Sequence, residues 1–154
     1  MKRLSKLKRL NEYLVGFRIP DYPDIVPVRV VDQENATGQL ASDASGDQVL
    51  IAIPEAQDYG RNTDSFSETL STAFFVLANI NGPARTQELA DETYLRLLDV
   101  SQAILDKLDT DLTGGEIGDP CPYLAGLTLT DLNIMPVYSV FGGWSGWSIE
   151  ITLA

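Results

Sequence analysis

The alternation of apolar and polar positions is clearest in residues 143–153, GWSGWSIEITL. From Trp147 onward it is strict, with Trp147, Ile149, Ile151 and Leu153 on one side and Ser148, Glu150 and Thr152 on the other. Successive side chains of a strand point to opposite faces, so this predicts a strand with one buried face that closes a sheet. Residues 67–80 (SETLSTAFFVLANI) are apolar and β-branched or aromatic at their centre and predict a second strand. Residues 48–53 (QVLIAI) and 26–31 (VPVRVV) predict two shorter ones. Helical spacing occurs twice. Leu4, Leu7, Leu10 and Leu14 recur every three or four residues, giving an N-terminal basic amphipathic helix over 1–16 that Gly16 and Pro20 end.

The second helix is the stronger one. Ala90, Tyr94, Leu97, Ser101, Ile104 and Leu108 make one stripe, broadened by Leu98 and Leu105, while Glu88, Glu92, Asp99, Gln102 and Asp106 lie off it. It runs from the break at Asn81-Gly82-Pro83 to about Asp109, and Gly114-Gly115 stops it. Glu92 and Arg96 stand at i,i+4 in the favourable order. Residues 33–47 (QENATGQLASDASGD), rich in Ser, Gly, Asp and Asn, read as a flexible loop, and 54–63 as a polar one. Residues 127–131 and 134–140 predict further strands, the latter joined to the closing strand through Gly142-Gly143 as a hairpin. The order predicts a single α+β domain over 1–154. Its mixed or mainly antiparallel sheet has about five to six strands, with the N-terminal helix and the long helix packed on one face.

Charge changes this picture more than composition does. The chain of 154 residues carries a formal net charge of −11. Lys2, Arg3, Lys6, Lys8 and Arg9 supply five of its eleven basic residues, and no acid falls among them. The remainder holds six basic and 22 acidic residues, a surface that repels nucleic-acid phosphates. The basic arm reads as a solvated helix face or as a contact to an acidic neighbour or DNA. No apolar run is long enough for a membrane helix, and no apolar segment follows the basic start as it would in a signal peptide. The expected site of synthesis is the cytoplasm, and a single cysteine, Cys121, builds no disulfide framework.

Chemical signatures are few. Histidine is absent, which removes Ser-His-Asp and Cys-His catalysis and the usual zinc ligand. Asp109-Thr110-Asp111-Leu112-Thr113-Gly114 fills positions 1, 3, 5 and 6 of a calcium loop, but position 12 is Pro120. The same residues match the DxDxT motif of haloacid-dehalogenase-type phosphatases without the apolar strand that should precede it. An acidic helix end is the plainer reading, so no catalytic, cofactor-binding or metal residue is expected. Residues 142–146 lack the helix and lysine of a phosphate cradle. The alternation assigns Trp147 to the core, whereas Trp144 falls outside it and reads as an exposed anchor at a subunit contact.

The layout resembles the tail terminator and tail-completion proteins of long-tailed bacteriophages and related minor-capsid or neck proteins. An N-terminal helix leads to Val26-Pro27-Val28-Arg29-Val30 and a long loop. The apolar strand Ala73 to Asn79, a helix with Leu97, Leu98, Ile104 and Leu105, and the closing strand Trp147 to Leu153 follow. The resemblance lies in element order over residues 5–153, without a diagnostic motif. It implies a non-enzymatic ring, usually a homo-hexamer, made in the host cytoplasm and placed in the virion. That ring would cap the tail tube and meet neck or connector proteins, letting DNA pass without specific binding. Lys2, Arg3, Lys6, Lys8, Arg9 and Trp144 are the candidate interface residues. Another head–tail connector, or a small carbohydrate- or cation-binding module, is the alternative.

Overall fold

A computed structural model describes residues 5–43, 46–58, 68–79, 87–115 and 118–154. These form three α-helices and a six-stranded mixed sheet, an α+β fold. In chain order the elements are α1 (Ser5–Val15), β1 (Val28–Val30), α2 (Gln33–Asp43), β2 (Gln48–Ala52), β3 (Glu55–Asp58), β4 (Glu68–Asn79), α3 (Gln87–Thr113), β5 (Leu129–Val140) and β6 (Trp144–Leu153). A short 3-10 turn at Pro122–Leu124 precedes β5. The sheet runs β1-β2-β4-β6-β5, and β3 pairs with β4 beyond the end of β2. All pairings are antiparallel except β1 with β2.

The strand expected to close the sheet lies at its centre. β6 pairs along its whole length with β4, from Leu70 opposite Leu153 to Asn79 opposite Trp144, and on its other side with β5. Its apolar parity faces α1 and α3. Ile149, Ile151 and Leu153 are buried there with Val49, Ile51, Leu70, Phe74 and Val76. Leu10, Tyr13 and Leu14 of α1 and Leu97, Val100, Ile104 and Leu108 of α3 complete this layer. Burying each such side chain removes about 1.5–3 kcal/mol of apolar surface cost, so this layer dominates the stability.

Residues 33–43, expected within a loop, form α2, and they cover the opposite face. The composition is poor for a helix, but local bonds start it. The Asp32 carboxylate accepts the Asn35 N–H (2.8 Å) and the Asn35 side chain accepts the Val31 N–H (3.0 Å), a reciprocal cap. Ala36 and Leu40, four residues apart, then bury against Val30, Leu50, Leu77 and Trp144 in a second, smaller cluster. Helices therefore cover both faces, α1 and α3 one and α2 part of the other.

Other boundaries moved too. α3 continues to Thr113, past Asp109, while its expected cap at residues 81–83 lies outside the described residues. Residues 55–58 of the expected polar loop are β3, and 59–63 lie outside the described residues. The two strands expected between 127 and 140 are one, β5, with an irregularity at each end. Arg96 does not pair with Glu92 but forms a two-pronged ion pair with Asp47 (2.8 and 3.0 Å), tying α3 to the start of β2.

Candidate functional site

The acidic turn with two chemical resemblances is a structural lock. Asp109, Asp111 and Thr113 lie in the last turns of α3, where the Thr113 hydroxyl donates to the Asp109 carbonyl (2.7 Å). Asp111 accepts the Tyr13 hydroxyl (2.6 Å) and pairs with Lys107 (3.0 Å), whose ammonium lies 5.7 Å from the centre of the Phe17 ring. Burial, then the bond to Asp111 and its negative charge, push the Tyr13 phenol well above its usual value. The Asp111 carbonyl accepts the Cys121 N–H (2.7 Å), so one residue ties α1, α3 and the following loop together. Gly114 ends the helix at φ 84°, where a Cβ would run into the Asp119 backbone. Among the described residues no three His, Cys, Asp or Glu side chains converge as a metal site would require.

The basic arm divides by position. Lys2 and Arg3 lie outside the described residues. Lys6 is half-buried and Lys8 exposed on α1. Arg9 is already engaged: its guanidinium donates to the Ala125 carbonyl (3.0 Å), fixing α1 to the loop before β5. Only Lys6 and Lys8 are thus positioned, among the described candidates, to meet a neighbour by charge.

Trp147 packs against the core as the alternation indicated, whereas Trp144 differs from its expected place. Trp144 begins β6, faces α2, and is 6 % exposed in the second cluster, so it is no exposed anchor. It shares the parity of Ser148, Glu150 and Thr152 in an unbroken register, so the strand's own alternation points it to the α2 side. Trp147 is half-buried on the α3 side, donates its indole N–H to the Tyr94 carbonyl (2.9 Å) and meets the Tyr94 ring edge-to-face.

The surface unexplained by folding lies along β5. Leu129, Leu132, Ile134, Met135 and Tyr138 are exposed large apolar side chains on this one strand. By register, Leu132, Ile134 and Pro136 lie on the α3 side of the sheet and Asp131, Asn133 and Met135 on the other. On the α3 side, Leu129 and Leu132 open into a groove of about 530 Å³ bounded by Leu10, Leu105, Leu112 and Leu124. Asp106 and Asp109 stand on its rim. The signal for this surface was in the sequence: LTDLNIMPVYSV carries apolar residues on both parities, unlike a strand with one wet face. In comparisons with known proteins, no protein-family model and no curated sequence matches this chain.

Proposed function

We propose that this chain is a non-enzymatic structural protein of a bacteriophage virion, a tail-terminator-like subunit that works by assembling with copies of itself and with neighbouring tail and neck proteins. The observation that supports it is where unsatisfied surface remains. The groove beside β5 is walled mainly by leucines with Asp106 and Asp109 on its rim, and β5, the end strand of the sheet, carries exposed apolar side chains. Exposed apolar surface of that kind marks interaction rather than catalysis. The uneven charge supports the same reading, because Lys6 and Lys8 on α1 offer a positive patch to the acidic surface of the next subunit in a head-to-tail ring. The carbohydrate-binding alternative loses its platform, since Trp144 is buried within the chain.

Light scattering over a range of concentrations tests this reading. A ring near six times 16.9 kDa supports it, and Lys6→Glu with Lys8→Glu should then disperse the ring without altering the circular dichroism spectrum. A chain that stays monomeric alone and on isolated tails would sink the proposal.

A further inference from the structure

We propose that β5 is an interface for a second copy of this chain, the two β5 strands pairing antiparallel about a two-fold axis close to Ile134 and joining two sheets into one. It rests on the assembly reading above, since both start from the exposed β5 edge, but a two-fold pairing is a different contact from the head-to-tail contact of a ring.

The edge is open, and the features that hinder pairing are concentrated toward its ends. β5 lies at the end of the sheet order and pairs only with β6 among the described residues. A long, apolar, exposed edge is a template for another strand unless lysines or distortions interrupt it. β5 carries no lysine or arginine, and one charged residue, Asp131. Irregularities confine the regular part. Thr130 is extra between Leu129 and Asp131, and Tyr138 and Ser139 oppose Ser145 alone, with Ser139 at φ 52° and its N–H bonded to the Ser145 hydroxyl (2.9 Å). Between them, Asp131 to Val137 is undistorted. Such bulges bend a strand away from a partner, so they define which stretch remains available.

The pattern within that stretch selects the occupant. Its centre is Ile134. Antiparallel pairing about that residue sets Ile134 opposite Ile134 and Leu132 opposite Pro136 on the α3 side, and Asn133 opposite Met135 on the other. Asp131 then faces Val137, and the two Asp131 carboxylates stay roughly 20 Å apart at about 3.4 Å per residue. Directly opposed like charges are unfavourable, and this register has none. That matters for a chain of net charge −11, whose copies repel wherever acids meet. β5 is a stripe along which two such chains can touch apolar surface to apolar surface. Within this stretch Leu132 and Ile134 on the α3 side and Met135 on the other are 38–43 % accessible, so each face offers apolar side chains to a paired copy. Pro136 has no N–H to donate, so the joint lacks that donor on each of the two copies.

The geometry of the pairing gives a test that a ring contact cannot imitate. Ile134 sits on the two-fold axis and meets its own copy, with Asn133 and Met135 one residue away, so a single cysteine at or beside the axis can link two chains. In a Cys121→Ser background, Asn133→Cys, Ile134→Cys and Met135→Cys would be oxidised separately and run on a non-reducing gel. At least one, with Ile134→Cys foremost, should give a dimer as the main species, whereas Lys8→Cys should not. Light scattering of the unmodified protein should find a species of about 34 kDa, twice 16.9 kDa, or a whole multiple of it where ring contacts form as well. Ile134→Lys places two ammonium groups face to face and should weaken the dimer at least about tenfold. Met135→Lys serves as a second probe on the opposite face, with circular dichroism confirming the fold of each. Failure of all three cysteines to cross-link, or a mass unmoved by both lysine variants, overturns the pairing. A hexamer lacking the cross-link overturns the pairing and leaves the ring reading standing; a cross-linked dimer that never forms larger species does the reverse.

Discussion

Tyr13→Phe isolates one interaction in the lock that joins α1 to α3. The substitution keeps the ring, so its edge-to-face contact with Phe17 (centroids 5.7 Å apart) and its burial at 7 % exposure persist. What is lost is the hydroxyl's bond to Asp111 at 2.6 Å. Hydrogen bonds to charged groups contribute about 1.5–3 kcal/mol. Asp111 keeps Lys107 as a partner, and its side chain retains 20 % of its accessibility, so the orphaned carboxylate is partly compensated. A loss of about 1.4 kcal/mol at pH 7, just under that range because Lys107 remains, is expected, a fall in Tm of about 3–5 °C for a domain of this size.

The pH dependence makes the test specific. Burial first, and then Asp111, raise the Tyr13 phenol above its ordinary value of 10.0. A group whose folded pKa is raised contributes stability that is complete below its unfolded pKa and lost as pH climbs above it. The unfolded chain ionises Tyr13 from about pH 10 while the folded chain resists, so the parent protein loses about 1.4 kcal/mol per pH unit beyond that point. Phe at position 13 has no such loss, and the other titrations are shared by both proteins. Urea unfolding followed by circular dichroism should therefore show a 1.4 kcal/mol gap at pH 7 that closes near pH 11 and reverses above it. A gap that stays constant from pH 7 to 11.5, or is absent at pH 7, refutes the account of the lock.

Three further outcomes follow from the packing. Gly146→Ala would drive a Cβ into the Val76 carbonyl oxygen of β4 and to 3.0 Å from Leu97, so chemical denaturation should report a loss of at least about 2 kcal/mol; a change under 0.5 kcal/mol would show that β4 and β6 are not held so close. Trp144→Ala should lower stability by about 3–5 kcal/mol while leaving the mass of the folded fraction unchanged in light scattering, because this side chain packs within its own chain; dissociation without destabilisation would restore it as an anchor. Arg96→Ala removes an ion pair whose side chains are 53 % and 22 % exposed, and thermal unfolding should shift by no more than about 1 kcal/mol, less in high salt.

How much of this was legible in the sequence follows from where each segment gets its stability. α1, β2, β4, α3 and β6 each bury one face or run in a common core, so their apolar spacing announces them. α2 did not announce itself, because only Ala36 and Leu40 of its face are large contributors and its start is fixed by the Asp32–Asn35 exchange of hydrogen bonds. β5 was divided in two for a related reason. Its polar interruption at Asp131 and Asn133 looks like a loop when one expects a single buried face, and its true environment is solvent on both. Trp144 was misplaced because the face it points to is covered by α2, the helix read as a loop. The candidate site suffered most. An edge is defined by which strand has no neighbour, and neighbour relations between strands are a property of topology that no local spacing encodes.

The position of β6 bears on the order in which the molecule can be made. It is synthesised after β4 and β5, yet it lies between them and supplies the partner for both. A chain emerging in sequence order can dock α1, β1 and β2 against β4 early. The half of the sheet beyond β4 must wait until residues 144–153 have been added. During that interval β5 and the β6-facing edge of β4 lack their ladder, a state open to association with other nascent chains. β4 and β5 therefore cannot belong to one sheet until β6 stands between them.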